Sequence, residues 1–381
     1  MSSAKPVWYG VGLGVLAWLQ WRRSCAAAAA AAAAARSGEA AALGGAEQQL
    51  ITPTPCLGPA RDFVGYGEHP PDPRWPGGAR IAVNFVINFE EGSEPSVADG
   101  DGYSEAGLTE CGSDITDGGR DLAAESMFEY GSRVGFWRVL REFERRGLPA
   151  TVTACALAME RLPEAAAALA RCDFDFCCHG YRWENHFELT LEEERRHIRA
   201  AVAVLKRLTG AAPPGWYCRT APSVHTRALL LAEGGFLYDS DAYNDDLPYW
   251  VPAVAGGGQP THHLVIPYSL CTNDSKFAPG RAFSTAEDYF VFMKDAFDTL
   301  REEGGKMMSV GLHTRLIGHA ARIGGLRRFM DYVQQFDDVW VCKRVDIAHH
   351  WREHHPPPPA TPTPTPTPTP TQQQQQKNSA F

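Results

Sequence analysis

The apolar and polar residues between Arg80 and His354 follow two alternating periods. Arg80–Phe89 is an almost unbroken apolar run, which is typical of a strand that is buried on both faces of a parallel sheet. In Gly135–Arg146 the apolar residues recur at helical spacing, so this segment is predicted to be an amphipathic helix that Gly147 ends. Strand and helix patterns then alternate along the chain, which indicates a parallel sheet with crossover helices.

The other elements of this pattern follow in regular order. Further strands are predicted at Leu148–Leu157, Phe174–Cys178, Gly215–Tyr217, Phe236–Asp239, Leu264–Tyr268, Lys306–His313 and Val339–Cys342. Further helices are predicted at Pro163–Ala170, Thr190–Leu208, His225–Glu233, Ser284–Glu302, Leu326–Gln335 and Val345–His354. Two helices begin with capping boxes, Thr190 with Glu193 and Ser284 with Glu287. About seven parallel strands with outer helices favour a closed or nearly closed α/β barrel, in which chemistry is found at the carboxyl ends of strands.

Both ends of the chain differ in composition from this barrel, which divides the sequence into residues 1–54, a body at 55–355 and a tail at 356–381. The first part contains the apolar run Val7–Gln20 and a polyalanine tract, and it has no Asp or Glu before Glu39. This composition is typical of an organelle transit segment, but a membrane anchor or an extension without a targeting role fits equally well. The location therefore stays open between cytoplasm, organelle and an anchored form. The tail repeats Thr-Pro, which favours an extended or disordered chain.

The net charge and the cysteines narrow the class of protein. A formal charge of −9 without a basic cluster argues against a nucleic-acid partner, because phosphate binding needs such a cluster. The ten cysteines show no repeated spacing, which favours buried thiols over a disulfide framework. The chemistry of the protein is therefore to be sought in the barrel.

Charged residues follow directly after five of the predicted strands. They are found in Asn88–Gly92, His179–Trp183, Arg219–Pro222, Asp239–Asp241 and Leu312–Arg315. Because the carboxyl ends of parallel strands meet at one rim, we expect these side chains to lie close together, and burying them is costly unless they are used. The combination suits hydrolysis of an amide-like carbon–nitrogen bond, with a carboxylate as base, a histidine as acid and an arginine or a metal beside the oxyanion. No serine or cysteine stands in a nucleophile-elbow context, which favours direct attack by water.

Longer stretches of the same region carry further information. They are RDFVGYGEHPPDPRWPGGARIAV, NFEEGSE, FEYGSRVGFWRVL, CHGYRWE, GWYCRTAPSVHTR, GGFLYDSDAYNDDLPYW, IPYSLCTND, SVGLHTRLIGHAAR and VWVCKRVDIAHHW. These stretches resemble the polysaccharide deacetylase (NodB-homology) superfamily, and more closely its branch of bacterial-type allantoinases. The resemblance implies a distorted (β/α) barrel that hydrolyses non-peptide carbon–nitrogen bonds. It also implies a homo-oligomer, since the related allantoinases assemble in this way.

The residues that bind metal in typical deacetylases are altered in this chain. Those enzymes have two aspartates after the first strand, whereas this chain has Glu90 and Glu91. They place two metal-binding histidines four residues apart, whereas Trp183 stands four residues after His179 here. The allantoinase branch shows the same loss, so no metal cofactor is expected. If zinc or another divalent ion is bound, its ligands are expected to be Glu91, His179 and His186.

The resemblance also implies a role for each matching residue. Glu90 matches the base, Arg219 matches the arginine that orients this base, and His313 matches the general acid. Glu91 and His179 match former metal ligands and are expected to bind substrate or to position water.

Further residues are expected at the pocket because of their place at the rim. Arg315 is expected to bind a carbonyl or ureido oxygen of the substrate. One or two aromatic residues are expected to form its wall, from Trp183, Tyr217, Tyr243, Tyr249 and Trp250. Glu129, Tyr130, Ser132 and Arg133 are expected either near the pocket or at a helix start. The long glycine-rich segment Gly92–Asp121 is interpreted as a lid, which favours a small substrate.

Three functions follow as hypotheses. The first is the allantoinase-like one, in which water opens the hydantoin ring of allantoin, a small ureide, to give allantoate. The second is a metal-dependent de-N-acetylase that acts on chitin-like or other N-acetyl sugars. The third is a non-catalytic descendant that only binds a ligand, and the presence of Glu90, Arg219 and His313 argues against it because a binding protein needs neither an acid nor a base.

Overall fold

The computed structural model describes residues 59–359, apart from residues 111, 114, 116, 117 and 255–259. The predictions for residues 1–54 and for most of the tail at 356–381 lie outside the described residues. In the part of the chain that is described, no helix is both long enough and apolar enough to cross a membrane.

The described residues form an alternation of strands and helices. The strands are β1 (Ile81–Phe89), β2 (Ala150–Ala154), β3 (Phe174–Cys178), β4 (Gly215–Trp216), β5 (Tyr238–Asp239), β6 (Tyr249–Val254), β7 (Pro260–Val265), β8 (Lys306–His313) and β9 (Val339–Val341). The helices are α1 (Leu122–Tyr130), α2 (Phe136–Arg146), α3 (Ala156–Arg161), α4 (Pro163–Leu169), α5 (Leu191–Thr209), α6 (Thr226–Glu233), α7 (Ala286–Glu303), α8 (Ile323–Val333) and α9 (Arg344–His354). A π-helical segment, Gly131–Gly135, joins α1 to α2.

The strands form one sheet in the order β6-β7-β5-β4-β3-β2-β1-β8, with β9 paired to the first residues of β1. The pairs are parallel except for β6 with β7. The irregular segment that follows β7 pairs with β8 through an isolated bridge between Asn273 and Gly311. This segment therefore connects the two sides of the barrel. The predicted α/β barrel is confirmed, although it is made of nine strands in the described residues rather than about seven.

The first strand lies in the centre of this sheet and explains where the rim residues meet. All nine residues of β1 are buried, as its apolar run predicts. Its register with β8 pairs Ile81 with Lys306 and continues to Asn88 with His313. Glu90, which follows β1 directly, therefore emerges at the same rim as His313.

The interior below this rim contains a buried arginine, Arg344, which is the first residue of α9. Its guanidinium donates to the side chains of Asn84, Ser240 and Ser309 and to two backbone carbonyls. Because side chains fill this part of the barrel, the space for a ligand lies at the carboxyl ends of the strands.

Two local predictions are corrected by the structure. The second capping box consists of Thr285 and Asp288 rather than Ser284 and Glu287, because the Asp288 carboxylate accepts from the backbone N–H groups of both Ser284 and Thr285. The strand β6 has no counterpart in the prediction. It lies at the sheet edge with Pro252 in it and a largely unburied surface, so it lacks the apolar signal of a central strand. The capping box of Thr190 and Glu193 is confirmed.

Candidate active site

A cavity of about 600 Å³ lies at the carboxyl ends of the strands. Its walls are formed by residues at the ends of β1 and β8, by residues that follow β1, β3, β4 and β7, and by Gly107 and Leu108. The residues that line it include Asn88, Glu90, Leu108, His179, Trp183, Tyr217, Arg219, Tyr268, Asn273 and His313. Four of the five polar strand ends predicted to lie together thus meet around one cavity. The fifth, Asp239–Asp241, does not line it, because Asp239 pairs with Arg227 and Asp241 accepts from the backbone N–H of Cys218.

Glu90 lies at the centre of the charged groups in this cavity. Its Oε2 atom is 2.8 Å from Nη1 of Arg315, and its Oε1 atom is 3.2 Å from Nε2 of His179 and 3.6 Å from Nε2 of His313. Burial alone would raise the pKa of Glu90, but Arg315, His313 and His179 together hold it well below its ordinary value. Glu90 is therefore a carboxylate at neutral pH, although it is almost completely buried.

Glu91 faces the same arginine from the other side. Its Oε1 atom accepts hydrogen bonds of 3.2 Å from both the backbone N–H and Nη1 of Arg315. A Cβ atom on Gly131 would lie only 2.6 Å from that oxygen, so this position needs glycine. Arg315 is thus clamped between two buried carboxylates, which raise the pKa of its guanidinium further despite the opposing effect of burial.

His179 has a fixed orientation. Its Nδ1 atom is 2.6 Å from the backbone carbonyl oxygen of Tyr217, and its ring is stacked on the Tyr217 ring. Because a carbonyl can only accept, Nδ1 carries a proton and donates it. The other nitrogen, Nε2, faces Glu90 and lies 3.2 Å from its Oε1 atom.

His313 is held by Asp274, a residue that the sequence analysis did not assign to the site. Asp274 accepts from Nδ1 of His313 at 2.6 Å and from its backbone N–H at 2.7 Å. Burial would lower the pKa of His313, but the charges of Glu90 and Asp274 raise it above its ordinary value. The Nε2 atom, which points toward Glu90, therefore keeps its proton to higher pH than in an ordinary histidine and can serve as an acid.

Arg219 lies at the cavity but makes a different contact from the one that the resemblance implied. Its Nη2 atom is 2.6 Å from Oε2 of Glu105, and its guanidinium lies over the Trp183 ring at 3.6 Å from the ring centre. The guanidinium that contacts Glu90 is that of Arg315 instead. The expected arginine–base contact is therefore made by Arg315, because Glu105 occupies the end of Arg219.

The described part of the Gly92–Asp121 segment is tied to the rim by several arginines. Besides Arg219 with Glu105, the pairs are Arg161 with Asp99, Arg182 with Asp101 and Arg322 with Glu110. The carbonyl of Leu108 accepts from Nε of Arg315, and Leu108 lines the cavity. This segment thus covers part of the site, in the position expected of a lid.

The three residues expected as metal ligands do not come together. His186 is buried, and its Nδ1 atom lies 3.3 Å from Glu194. Glu91 is paired with Arg315, while His179 contacts Glu90. Among the described residues no group of three or more His, Cys, Asp or Glu side chains is arranged to hold a metal ion. The donor set therefore does not fit the metal of typical deacetylases.

The remaining predicted residues divide between the cavity and other places. Trp183 and Tyr217 line the cavity, and the Tyr217 hydroxyl contacts that of Tyr243. Tyr249 and Trp250 lie in the edge strand β6 instead. Of the segment expected either near the pocket or at a helix start, Glu129 and Arg133 form an exposed pair and Tyr130 stacks on His319. Glu129 and Tyr130 are the last residues of α1, and Ser132 and Arg133 lie in the π-helical segment that joins α1 to α2, so none of them begins α1.

The chain is similar to known proteins over most of its length. The family described as polysaccharide deacetylase matches residues 120–233. A Schizosaccharomyces pombe protein assigned by name to the polysaccharide deacetylases is 37% identical over 314 residues, which cover 78% of this chain and 98% of that protein.

Two solved structures are similar over the same extent. A Pseudomonas aeruginosa PAO1 protein, also assigned by name to the polysaccharide deacetylases, is 48% identical with a TM-score of 0.74, and PuuE allantoinase is 46% identical with the same TM-score. Each match covers 78% of this chain and 99% of the other. With a relative that is matched over almost its whole length, and with the barrel and rim residues described above, the chain belongs to the polysaccharide deacetylase family.

Proposed function

We propose that this protein hydrolyses the cyclic amide of a small ureide, with allantoin as the first substrate to test. The observation that carries the proposal is the Arg315 guanidinium, which lies 2.8 Å from Glu90 and 3.2 Å from Glu91. In this arrangement the protein itself supplies the positive charge beside the two carboxylates. A site of this kind suits water activated by a carboxylate, with no step that passes through a metal.

The first step of the proposed reaction is attack of water on the ring carbonyl. Glu90 accepts a proton from the water while the oxygen of the water bonds to the carbonyl carbon. Because the cations around Glu90 weaken it as a base, we expect the proton transfer to accompany the attack rather than to precede it. The resulting oxyanion forms in a buried site. In such a site, hydrogen-bond donors that are held in position stabilise the negative charge of the oxyanion effectively.

The second step breaks the carbon–nitrogen bond. The protonated Nε2 of His313 gives its proton to the leaving nitrogen, which remains part of the opened chain. The new carboxylic acid releases its proton to solvent, and the proton on Glu90 passes to His313, whose Nε2 is 3.6 Å from Glu90 Oε1. Glu90 is then again a carboxylate and His313 again protonated, so the site is ready for the next molecule.

The shape of the site supports a small substrate. The cavity volume of about 600 Å³ is within the range of small-molecule sites, and Gly107 and Leu108 of the Gly92–Asp121 segment form part of its wall. The 46% identity to PuuE allantoinase over nearly all of that protein supports the same substrate class. The alternative, removal of an acetyl group from an N-acetyl sugar, is supported by the names of two other relatives.

The two substrates can be compared directly. The purified full chain would be incubated with allantoin and, separately, with an N-acetylglucosamine oligomer, and allantoate and acetate would be measured. We expect allantoate and no acetate, and Glu90→Gln should reduce allantoate formation by about 10²- to 10⁴-fold, the usual contribution of a general base. Glu142→Gln, at a buried glutamate on α2 that pairs with Arg146 and Arg327, is the matched control. Acetate without allantoate would contradict the proposal.

A further inference from the structure

The floor of the cavity contains a tyrosine hydroxyl held by two amides. Tyr268 follows β7, is 3% exposed and lines the cavity together with Asn88 and Asn273. Its oxygen receives hydrogen bonds from Nδ2 of Asn88 at 3.3 Å and from Nδ2 of Asn273 at 3.1 Å. None of the roles assigned above uses this group.

The orientation of both amides is fixed by backbone groups, which have only one possible role. Nδ2 of Asn88 also donates to the carbonyl of Leu312 at 3.2 Å, and Oδ1 of Asn273 accepts from the backbone N–H of Ser275 at 2.7 Å. Both amides therefore present nitrogen, not oxygen, to the tyrosine. A phenol oxygen can accept two hydrogen bonds and donate one, so both acceptor positions of Tyr268 are occupied and its own proton is left to donate.

Nothing in the described part of the chain accepts that proton. The burial of Tyr268 raises the pKa of its hydroxyl above its ordinary value, so the proton remains bound at neutral pH. Tyr268 and Asn273 can pack in this way only because residue 311 is glycine. A Cβ atom at Gly311 would lie 2.3 Å from both the Tyr268 oxygen and Nδ2 of Asn273. The result is a buried donor that is oriented in advance and whose hydrogen is free for a ligand in the cavity.

We infer that the Tyr268 hydroxyl donates a hydrogen bond to a carbonyl oxygen of the bound substrate. The inference rests on the proposed function, since it assigns Tyr268 to the carbonyl-rich ureide class. A donor without a protein acceptor is satisfied only by a ligand oxygen or by water, and a carbonyl is the acceptor that a flat ureide presents. Asn88 and Asn273 act as positioning residues, because they fix the direction in which the hydroxyl donates.

Two variants test this inference in different ways. Tyr268→Phe removes the hydroxyl, whereas Asn273→Asp keeps it and replaces the donating nitrogen with a carboxylate oxygen that accepts the Tyr268 proton. Both should lower kcat/KM by about 10- to 100-fold, as expected when a preorganised donor is lost. Tyr238→Phe, at a buried tyrosine of β5 that does not line the cavity, should change kcat/KM by less than about twofold.

A binding measurement separates this role from a structural one. Allantoin would be titrated calorimetrically into Glu90→Gln and into Glu90→Gln with Tyr268→Phe, at a temperature well below both unfolding midpoints. We expect the second protein to bind allantoin about tenfold more weakly. Equal affinity, together with unchanged kcat/KM in Tyr268→Phe, would overturn the inference while the proposed function stands.

The failure of the proposed function has a different signature. If the wild-type protein hydrolyses the N-acetylglucosamine oligomer and not allantoin, the ureide assignment is wrong. The same variants would then be assayed on the oligomer, where a reduced rate would still support donation to a carbonyl and an undiminished rate would overturn it. Turnover of neither compound, with no binding of allantoin to Glu90→Gln, would overturn both.

Discussion

Two buried arginines in one barrel have different surroundings. Arg344 lies below the cavity, and every nitrogen of its guanidinium donates to a neutral oxygen. Arg315 lies at the rim between Glu90 and Glu91. Its Nη2 atom has no hydrogen-bond partner among the described residues, and its guanidinium lies over the rings of Phe128 and Trp183.

The difference shows how burial alone fails to identify a functional charge. The groups around Arg344 satisfy all its donors, so its contacts hold the strands and α9 together. Arg315 contacts two buried carboxyl groups, and it helps to keep the pKa of Glu90, which lines the cavity, well below its ordinary value. We therefore expect Arg344 to govern mainly stability and Arg315 mainly activity.

The largest expected effect comes from replacing these arginines with methionine, which keeps much of the volume. Arg315→Met should reduce allantoin turnover by about 10²- to 10⁴-fold, because without the guanidinium the burial of Glu90 raises its pKa and favours the protonated form. Arg344→Met should instead lower the free energy of unfolding by about 2–5 kcal/mol, because several buried oxygens lose donors worth about 1–3 kcal/mol each.

These two variants would be compared by turnover of the folded protein and by unfolding in urea. If Arg344→Met loses as much turnover per folded molecule as Arg315→Met does, the distinction between the two arginines is wrong.

The next effect concerns the pH dependence of the site. The pKa of His313 is raised above its ordinary value of 6.5, so its acidic form persists to higher pH than in an ordinary histidine and is lost as the pH rises further. In the wild-type protein, kcat/KM should decline on the alkaline side with a midpoint above 6.5. Asp274→Asn removes one of the charges that raise this pKa, so the alkaline decline should move to lower pH and the rate at pH 8 should fall by about 10- to 100-fold. An alkaline limb at the same pH in both proteins would show that His313 is not the acid.

The smallest expected effect lies at the lid. Glu105→Gln removes the carboxylate that pairs with Arg219, so the Gly92–Asp121 segment should be held less firmly over the cavity. We expect KM for allantoin to rise about three- to tenfold with little change in kcat. Glu110→Gln, whose carboxylate is 39% exposed and pairs with Arg322, is the control and should change KM less. Equal effects of the two variants would argue against a specific role for the Arg219 pair.

The sequence was a good guide to the fold where burial is complete and a poor one at the sheet edge. The apolar run at β1 and the helical spacing of α2 predicted both elements closely. The edge strand β6 was missed because an edge strand needs neither a continuous apolar run nor the absence of proline. The second capping box was misplaced by one residue because Ser284 and Thr285 can both cap a helix, and only the geometry of Asp288 selects between them.

For the site, the sequence predicted which residues lie there better than it predicted which of them contact each other. Glu90 and His179 follow strands directly and His313 ends one, and the barrel brings the three together as expected. Asp274 was missed because it lies on a short 3₁₀ turn, 39 residues before His313 in the chain. The contact of Glu90 with Arg315 instead of Arg219 was also out of reach, because long side chains choose partners by three-dimensional packing and not by their position after a strand.

The central claim is that Arg315, and not a bound metal, supplies the positive charge beside Glu90 and Glu91. The most direct test is the rate of allantoate formation by the wild-type protein before and after exhaustive dialysis against EDTA, and again after addition of Zn²⁺. We predict the same rate in all three samples, with Arg315→Met inactive in each. Loss of turnover after dialysis and its recovery with Zn²⁺ would contradict the claim.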